Sequence, residues 1–539
     1  MYGSITLENR FGVNKMELIS LKYAIFVIVL LVLYYCFPKK YRWYVLLAGS
    51  MAYYVIICKW YVLFIIFTIC TTYGSTIWID KLLKKQNAIV KSHKEDWDRQ
   101  TRKEYKEKGR KKRVAVMLFA LLCNFGILAF LKYIPYAGEL GLLLPLGISF
   151  YTFQSMGYVM DVYREIVEPE KNFLKVALFV SFFPQIIQGP IAIYDKLAGQ
   201  LYEGHSLRLE NLQKGALLVL WGVMKKLVIA DRAVNIINFV MDKPMDFSGT
   251  YVFFAAVVYA LQLYADFSGG IDIVRGIAEM FGITMSTNFN HPYFSRSLTE
   301  YWHRWHMTLG DWCRNYIFYP LSISKRFLNF GKWLKPRFGA HISKVLPGCI
   351  ASVITFIVIG VWHGANMKYL YFGLWNGIVI MLAELFAPVN KKVAGGFFKL
   401  TGLREKGIFA TIISVLWTFM LILVGYYFDI AANASTAFHM LFKSVTDFHI
   451  GELGINNIIF NLGACGLDKY DILLLIICTL LWFFISFVEE NKKLDMRDFI
   501  LSRKLPLRWA IIYLGIFIVI IFGYYGPGVN PADFVYMQF

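Results

Sequence analysis

Runs of apolar residues long enough to cross a lipid bilayer recur along most of this 539-residue chain, and no other feature restricts its fold so tightly. They fall near 19–37, 43–58, 61–79, 114–133, 174–192, 213–230, 249–265, 345–362, 367–387, 408–428, 471–488 and 509–525. Lipid offers no hydrogen bonds, so a backbone that crosses it must satisfy its own N–H and C=O groups, and separate spans do that as α-helices. The expectation is an all-α polytopic membrane protein of about 11–13 helices, from a composition 58% hydrophobic and only 17% charged. Eight cysteines lie scattered, mostly inside apolar runs, with no CxxC and no paired pattern, which argues against a disulfide framework or a zinc site. No solenoid-length repeat shows, and the two halves lack a matched pair of interrupted helices of the transporter kind.

A formal net charge of +20 would suggest a nucleic-acid partner in a soluble protein, but its placement points to the membrane. Residues 81–113 hold 14 Lys or Arg against 5 acids, and a second basic segment runs from Lys325 to Lys344. The positive-inside rule puts such segments in the cytoplasm against anionic headgroups, so membrane lipid is the expected contact and nucleic acid is not. With Lys39, Lys40 and Arg42 inside, the first helix enters from an external N-terminal segment, residues 1–18. Met16 opens the more convincing membrane-protein start, and the run after it has no small-residue cleavage site, so it reads as a retained helix. Lys391, Lys392, Lys399, Arg404 and Lys406 mark an inside loop, 429–470 is an external loop region, and the basic cluster from Lys492 to Arg508 lies inside again. The expected organisation is one membrane domain over 19–525, with 81–113 as a basic cytoplasmic insertion and 526–539 as an external tail. The protein is placed in the cell membrane as a multi-pass chain with both termini extracytoplasmic.

Between the helices near 265 and 361 the composition changes, mixing charges, histidines and aromatics without a clean span. Ionisable residues in an otherwise apolar chain mark paths or sites. Helical spacing puts Trp302, Trp305, His306 and Leu309 on one stripe, with Glu300 and Arg304 as an i, i+4 pair beside it. Downstream, GVWHGAN sets His363 at the end of an apolar run, between Trp362 and Gly364. Such a histidine is either a hydrogen-bonded helix-end residue or a general base shielded from water. Gly364 permits close backbone approach, and Trp362 and Trp375 offer large apolar walls, an arrangement common at sites. His303 and His306 make an HxxH, but without Cys or carboxylate ligands at convincing spacing no metal is expected. Walker A, GxSxG, HExxH and GxGxxG signatures are missing, which leaves simple acid–base chemistry on substrates that bring their own activation.

Four stretches carry a resemblance: FFPQIIQGPIAIYDKL at 182–197, DFSGGIDIVRGIAEMFGI at 266–283, NFNHPYFSRSLTEYWHRWHMTLGDWCRNYIFYPL at 288–321 and VWHGANMKYLYFGLWNG at 361–377. In these the chain resembles the membrane-bound O-acyltransferase (MBOAT) family, in its bacterial branch of alginate O-acetyltransferase membrane subunits and teichoic acid D-alanyl transfer proteins. The resemblance implies a ring of helices around a thinned centre, where a cytoplasmic funnel and an outer opening meet in a through-tunnel at a histidine. It implies acyl transfer from a thioester to a hydroxyl, with His363 as the WHG-motif base and His306 as the RWHxSL-motif histidine, where Thr308 stands in place of serine. Asp266, Asn288, Glu300, Trp302, Arg304, Trp305, Trp362 and Asn366 are the candidates for tunnel lining and support. No cofactor is expected to be bound; acetyl-CoA or another cytoplasmic acyl thioester is the implied donor.

The stretch FVYMQF, 534–539, reproduces the FxYxxF motif of a small companion protein in the D-alanylation system. The resemblance implies that Tyr536 accepts the acyl group and passes it outward, with Phe534 and Phe539 docking the tail and GPGVNPAD, 526–533, letting it swing. A phenol with a pKa of about 10 ionises more easily than an alcohol and leaves more easily too, so an aryl ester keeps much of a thioester's transfer potential. An acetyl group is preferred over D-alanyl because YIFYPL and QGPI are more like the alginate branch. The implied partners are an extracytoplasmic SGNH-type acyltransferase or esterase and a secreted or cell-wall polysaccharide. Two other classes remain open: a transporter or flippase using the polar centre as a permeation path, and a scaffold recruiting a partner through FVYMQF.

Overall fold

The structure, a computed structural model, describes residues 18–401, 404, 407–454, 457, 465–526 and 534, and among these it contains helices, turns and loops but no strand. Tyr536, Phe539, residues 1–17 and most of the 526–539 tail lie outside the described residues. The chain divides into two compact units, Met1–Val219 with Ile273–Ser286, and Leu220–Asp272 with Thr287–Phe539.

The first unit contains α1 (Leu21–Cys36), α2 (Arg42–Cys58), α3 (Val62–Ser92), α4 (Arg99–Tyr133) and α5 (Ile148–Tyr163). The basic segment 81–113 is no separate body: it is the polar end of α3 and the polar start of α4, turned at 93–98. Asp98 caps α4, its side chain accepting the Thr101 N–H at 2.9 Å, which satisfies one of the donors a helix start leaves open. Every residue of α5 from Ile148 to Val162 is buried. Gly147, just before it, has φ +71 and faces the Ile186 carbonyl, a place that accepts no side chain without strain.

The helices α6 (Leu209–Met224) and α8 (Gly249–Met280) give residues to both units. In the second unit α6 runs on as a π-helical turn, Lys225–Ala230, into α7 (Asp231–Met241). The short helices α9 (Leu298–Arg304) and α10 (Met307–Cys313) follow, then α11 (Lys325–His363), α12 (Met367–Leu385), α13 (Ile408–Ile430), α14 (Lys469–Lys492) and α15 (Leu505–Phe522). A break at Gly339, with φ 79, divides α11, as only glycine readily allows. The external loop region predicted over 429–470 includes a helix of its own, Ala434–Thr446.

Among the described residues seven helices are long and apolar enough to cross a membrane, with α2 and α3 counted together, or eight if the bent pair at Leu385–Ala387 is one span. The all-helical membrane architecture read from the sequence is therefore present, while the tally of full spans is smaller than the apolar runs suggest. The runs at 19–37 and 174–192 form shorter helices, the second interrupted at Phe182 before Pro184. Hydropathy measures how apolar a run is and does not register where its helix stops.

The hairpin of α11 and α12 positions His363. Gly360 lies against the Tyr369 carbonyl and Gly373 against the Phe356 carbonyl, so a methyl group on either would collide with the facing backbone. Small residues that let two backbones approach are the usual device for packing helices where lipid supplies no hydrophobic drive. The hairpin turn is closed by Asn366, which caps α12 through the Lys368 N–H at 3.1 Å, and by Lys368 Nζ, which donates to the Asp429 and Ala431 carbonyls at 2.7 Å each.

Candidate active site

The stripe predicted through Trp302, Trp305, His306 and Leu309 is not one helix face. The helix α9 ends at Arg304, Trp305 is extended, and His306 adopts φ 45, ψ 52 before α10 begins. A left-handed non-glycine residue costs on the order of 1–3 kcal/mol and persists only where its surroundings enforce it. Here the segment 288–290 enforces it by hydrogen bonding alongside 304–307: Asn290 N–H donates to the Arg304 carbonyl at 3.0 Å, and Met307 N–H to the Asn288 carbonyl at 2.9 Å. The same four residues still face one space, because the break turns Trp305 and His306 back toward Trp302.

Asn288 is the hub of that arrangement. Its side-chain oxygen accepts from the Thr308 N–H at 3.1 Å, the Thr308 hydroxyl at 2.8 Å and His306 Nδ1 at 3.2 Å. A backbone N–H can only donate, so the atom it meets is the amide oxygen, and His306 must then carry its proton on Nδ1. Its Nε2 is left as the basic nitrogen. Burial, with His363 as the second cause, pushes the His306 imidazole down to about 3, so it is neutral at physiological pH. Removing the hub by Asn288→Ala strands buried donors, so we expect a loss of roughly 2–4 kcal/mol, read as a lower melting temperature in detergent.

His306 and His363 line one narrow cavity, about 20 Å³, room for a single water-sized body. Trp302, Trp305, Phe372 and Tyr426 wall it, and Asp429 is among its lining residues. The Trp362 ring stands 6.5 Å from the His306 ring and 5.0 Å from the His363 ring, and His363 also packs against Phe372 at 5.6 Å. The Trp302 indole is fixed by donating to the Asn376 side chain at 3.0 Å. A buried hydroxyl chain that includes two of the cavity-lining tyrosines, Tyr301 and Tyr426, has a fixed direction. Tyr293 donates to the Ala260 carbonyl at 2.6 Å, so it accepts from Tyr426 at 3.1 Å, which in turn accepts from Tyr301 at 2.7 Å.

Other predicted site residues lie elsewhere. Glu300 and Arg304 pair at 2.7 Å, and Arg304 reaches Glu490 of α14 at 3.0 Å, away from the cavity. Asn366 is a helix cap, and Trp375 donates to the Leu421 carbonyl at 2.9 Å without lining the cavity. Asp266 is fully buried against Lys226 Nζ at 2.7 Å. His303 meets Arg314 at 2.8 Å, and the break after Arg304 keeps it off any face shared with His306. Phe534 is buried with its ring 4.5 Å from Lys226 Nζ. Sequence reasoning missed Asn376, although it lies within the quoted stretch 361–377, and missed Lys226 and Tyr426, which read as ordinary apolar-run positions, and the hydroxyl chain that joins Tyr426 to Tyr293 and Tyr301 of the quoted stretch 288–321.

Residues 169–335 match the profile of MBOAT, the membrane-bound O-acyltransferase family. The chain carries an MBOAT domain. The match includes His306 and ends before His363. Over 315 residues the chain is 30% identical to "Probable alginate O-acetylase AlgI" of Pseudomonas syringae pv. tomato, covering 58% of this chain and 54% of that one. It is 29% identical over 391 residues to "Peptidoglycan O-acetyltransferase" of Helicobacter pylori, covering 66% of each. It is 26% identical over 288 residues to "Teichoic acid D-alanyltransferase" of Bacillus subtilis, covering 52% of this chain and 67% of that one. The chain thus spans about half to two thirds of the length of the curated relatives it matches. The MBOAT match lies over the segment that holds the hub, the backbone break and one of the two cavity histidines.

Proposed function

We propose that this protein is a membrane O-acyltransferase that moves an acyl group, preferably acetyl, from a cytoplasmic thioester through Tyr536 to a hydroxyl of an extracytoplasmic polysaccharide. The observation that carries the reading is the pairing of His306 and His363 on one narrow, aromatic-walled cavity. A thioester is already activated, so a base need only take the proton of the attacking hydroxyl while a dry site keeps water from competing. In the first half-reaction the Tyr536 oxygen attacks the thioester carbonyl as His363 takes the phenol proton. The C–S bond then breaks, and the thiolate leaves with that proton. In the second half-reaction a polymer hydroxyl attacks the tyrosyl ester and regenerates the phenol, a step suited to an SGNH-type partner outside the membrane. The relatives named as an O-acetylase and an O-acetyltransferase support acetyl as the preferred group, and the one named as a D-alanyltransferase supports D-alanyl as the alternative.

Mass spectrometry of the peptide bearing residues 534–539, from cells making the polymer, tests this. An acetyl group on Tyr536, with polymer acylation lost in a Tyr536→Phe strain, is the expected result. D-alanine at that position keeps the mechanism and changes the substrate. An unmodified Tyr536 with full polymer acylation in the Tyr536→Phe strain overturns the relay.

A further inference from the structure

The π-helical turn Lys225–Ala230 and the chain beyond α15 meet repeatedly. The Leu227 carbonyl accepts the Tyr524 N–H at 2.9 Å, and Arg232, just past the turn, donates to the Phe522 carbonyl at 2.5 Å. The Arg232 guanidinium also lies over the Tyr524 ring at 5.6 Å, while its Nε holds Asp471 at 2.9 Å. A π turn shifts the i→i+4 bonding register, which is how such a segment can offer a carbonyl to another part of the chain, and π turns concentrate at functional sites. Ten positions after Tyr524, Phe534 returns to the same turn and is 5% exposed, its ring 4.5 Å from Lys226 Nζ. Lys226 is itself fixed, at 2.8 Å from Asp231 and 2.7 Å from Asp266, with all three side chains buried. The residue after Asp266 is Phe267, whose ring packs on His306 at 4.9 Å.

We infer that the π turn with the Lys226–Asp231–Asp266 cluster is the seat of Phe534, and that Lys226, through the Phe534 ring, is a positioning residue that sets the reach of Tyr536. The seat rests on these contacts alone; its use in acyl transfer rests on the function proposed above. A chain tethered only at Tyr525 would let position 536, eleven residues on, roam with a root-mean-square reach of roughly 18 Å. Anchoring Phe534 leaves a two-residue step of at most about 7 Å. The seat includes Asp266, whose neighbour in the chain, Phe267, packs on His306, so that confinement raises the effective concentration of the phenol beside the cavity. An ammonium held by two carboxylates favours an aromatic face over an aliphatic side chain of similar volume.

Two measurements on the full chain in detergent or nanodiscs test the seat and its use separately. With p-benzoylphenylalanine in place of Phe534, ultraviolet cross-links should map to peptides containing 225–231 or 266. Cross-links to lipid alone or to other segments overturn the seat. In the second measurement a pulse of acetyl-CoA is followed by the rate at which position 536 gains acetyl. Phe534→Trp should stay within about twofold of the parent, while Phe534→Leu should fall about tenfold in kcat with KM for acetyl-CoA unchanged. Equal rates for the parent, Trp and Leu forms overturn the positioning role. If position 536 gains no acetyl in the parent and carries no acyl group in protein from cells making the polymer, the proposed function fails, and the cross-link map still decides the seat.

Discussion

The His363→Ala protein is expected to lose acyl transfer to position 536 and to the polymer by a factor of about 10²–10⁴, the usual contribution of a positioned general base, while unfolding at nearly the parent temperature. His363 ends α11 and faces a cavity already walled by Phe372, Trp302 and Trp305, so trimming its ring removes the proton acceptor and, of the α11–α12 packing, only its own contacts with Tyr369 and Phe372. His306→Ala is a less clean experiment, because it also takes a partner from Asn288 at 3.2 Å. The base role has a chemical signature. If His363 removes the phenol proton, a fluorinated tyrosine at 536, with a lower pKa, should recover part of the rate in the His363→Ala background while changing the parent little. Retention of more than about a third of the parent rate in His363→Ala would move the base elsewhere, and His306 Nε2 would be the next group to test.

The largest effect on stability should come from Lys226→Met. Lys226 lies between Asp231 and Asp266 at 2.8 and 2.7 Å, and its removal leaves two buried carboxylates facing each other. Breaking a buried ion pair from one side costs about 3–5 kcal/mol, mostly the penalty of the stranded charge. Thermal unfolding or denaturant titration in detergent should show that loss. The sign of a second substitution separates this account from simple packing: Asp266→Asn added to Lys226→Met removes one stranded charge and should restore part of the stability. Asp266→Asn alone leaves a one-to-one pair of Lys226 with Asp231 and should be much milder than Lys226→Met. If the double variant is as unstable as the sum of the singles, charge compensation is not what holds this cluster.

The sequence made some of the site legible and disguised the rest. The i, i+4 pair of Glu300 and Arg304 forms because both lie on α9, where spacing alone sets the geometry. The stripe through Trp302, Trp305, His306 and Leu309 does gather on one cavity, yet by a backbone break and not by helical period. Asp266 drew notice as the first residue of a quoted stretch, but its partner, Lys226, is 40 positions away in the chain. Asn288 drew notice as part of a motif, while its role as acceptor for three donors depends on a segment folding alongside it. The tyrosine chain through Tyr293, Tyr426 and Tyr301 gave no signal, because Tyr426 in its apolar run and the other two in a stretch crowded with aromatics read as bulk until their hydroxyls are seen to be aimed.

By itself the sequence determined that this chain lives in a membrane as helices. Lipid denies the backbone any partner but itself, and twelve apolar runs leave few other solutions. It also determined which titratable side chains are unusual, since a histidine or aspartate in so apolar a chain needs a reason to be there. Only the tertiary structure decided how those groups are used: the left-handed turn that aims His306, the glycine contacts that set His363, the pairing of Lys226, and the return of Phe534 to the π turn. Hydropathy and helical period belong to a residue and its near neighbours. Strain, tautomer and buried charge compensation depend on partners that folding alone brings within a few ångströms.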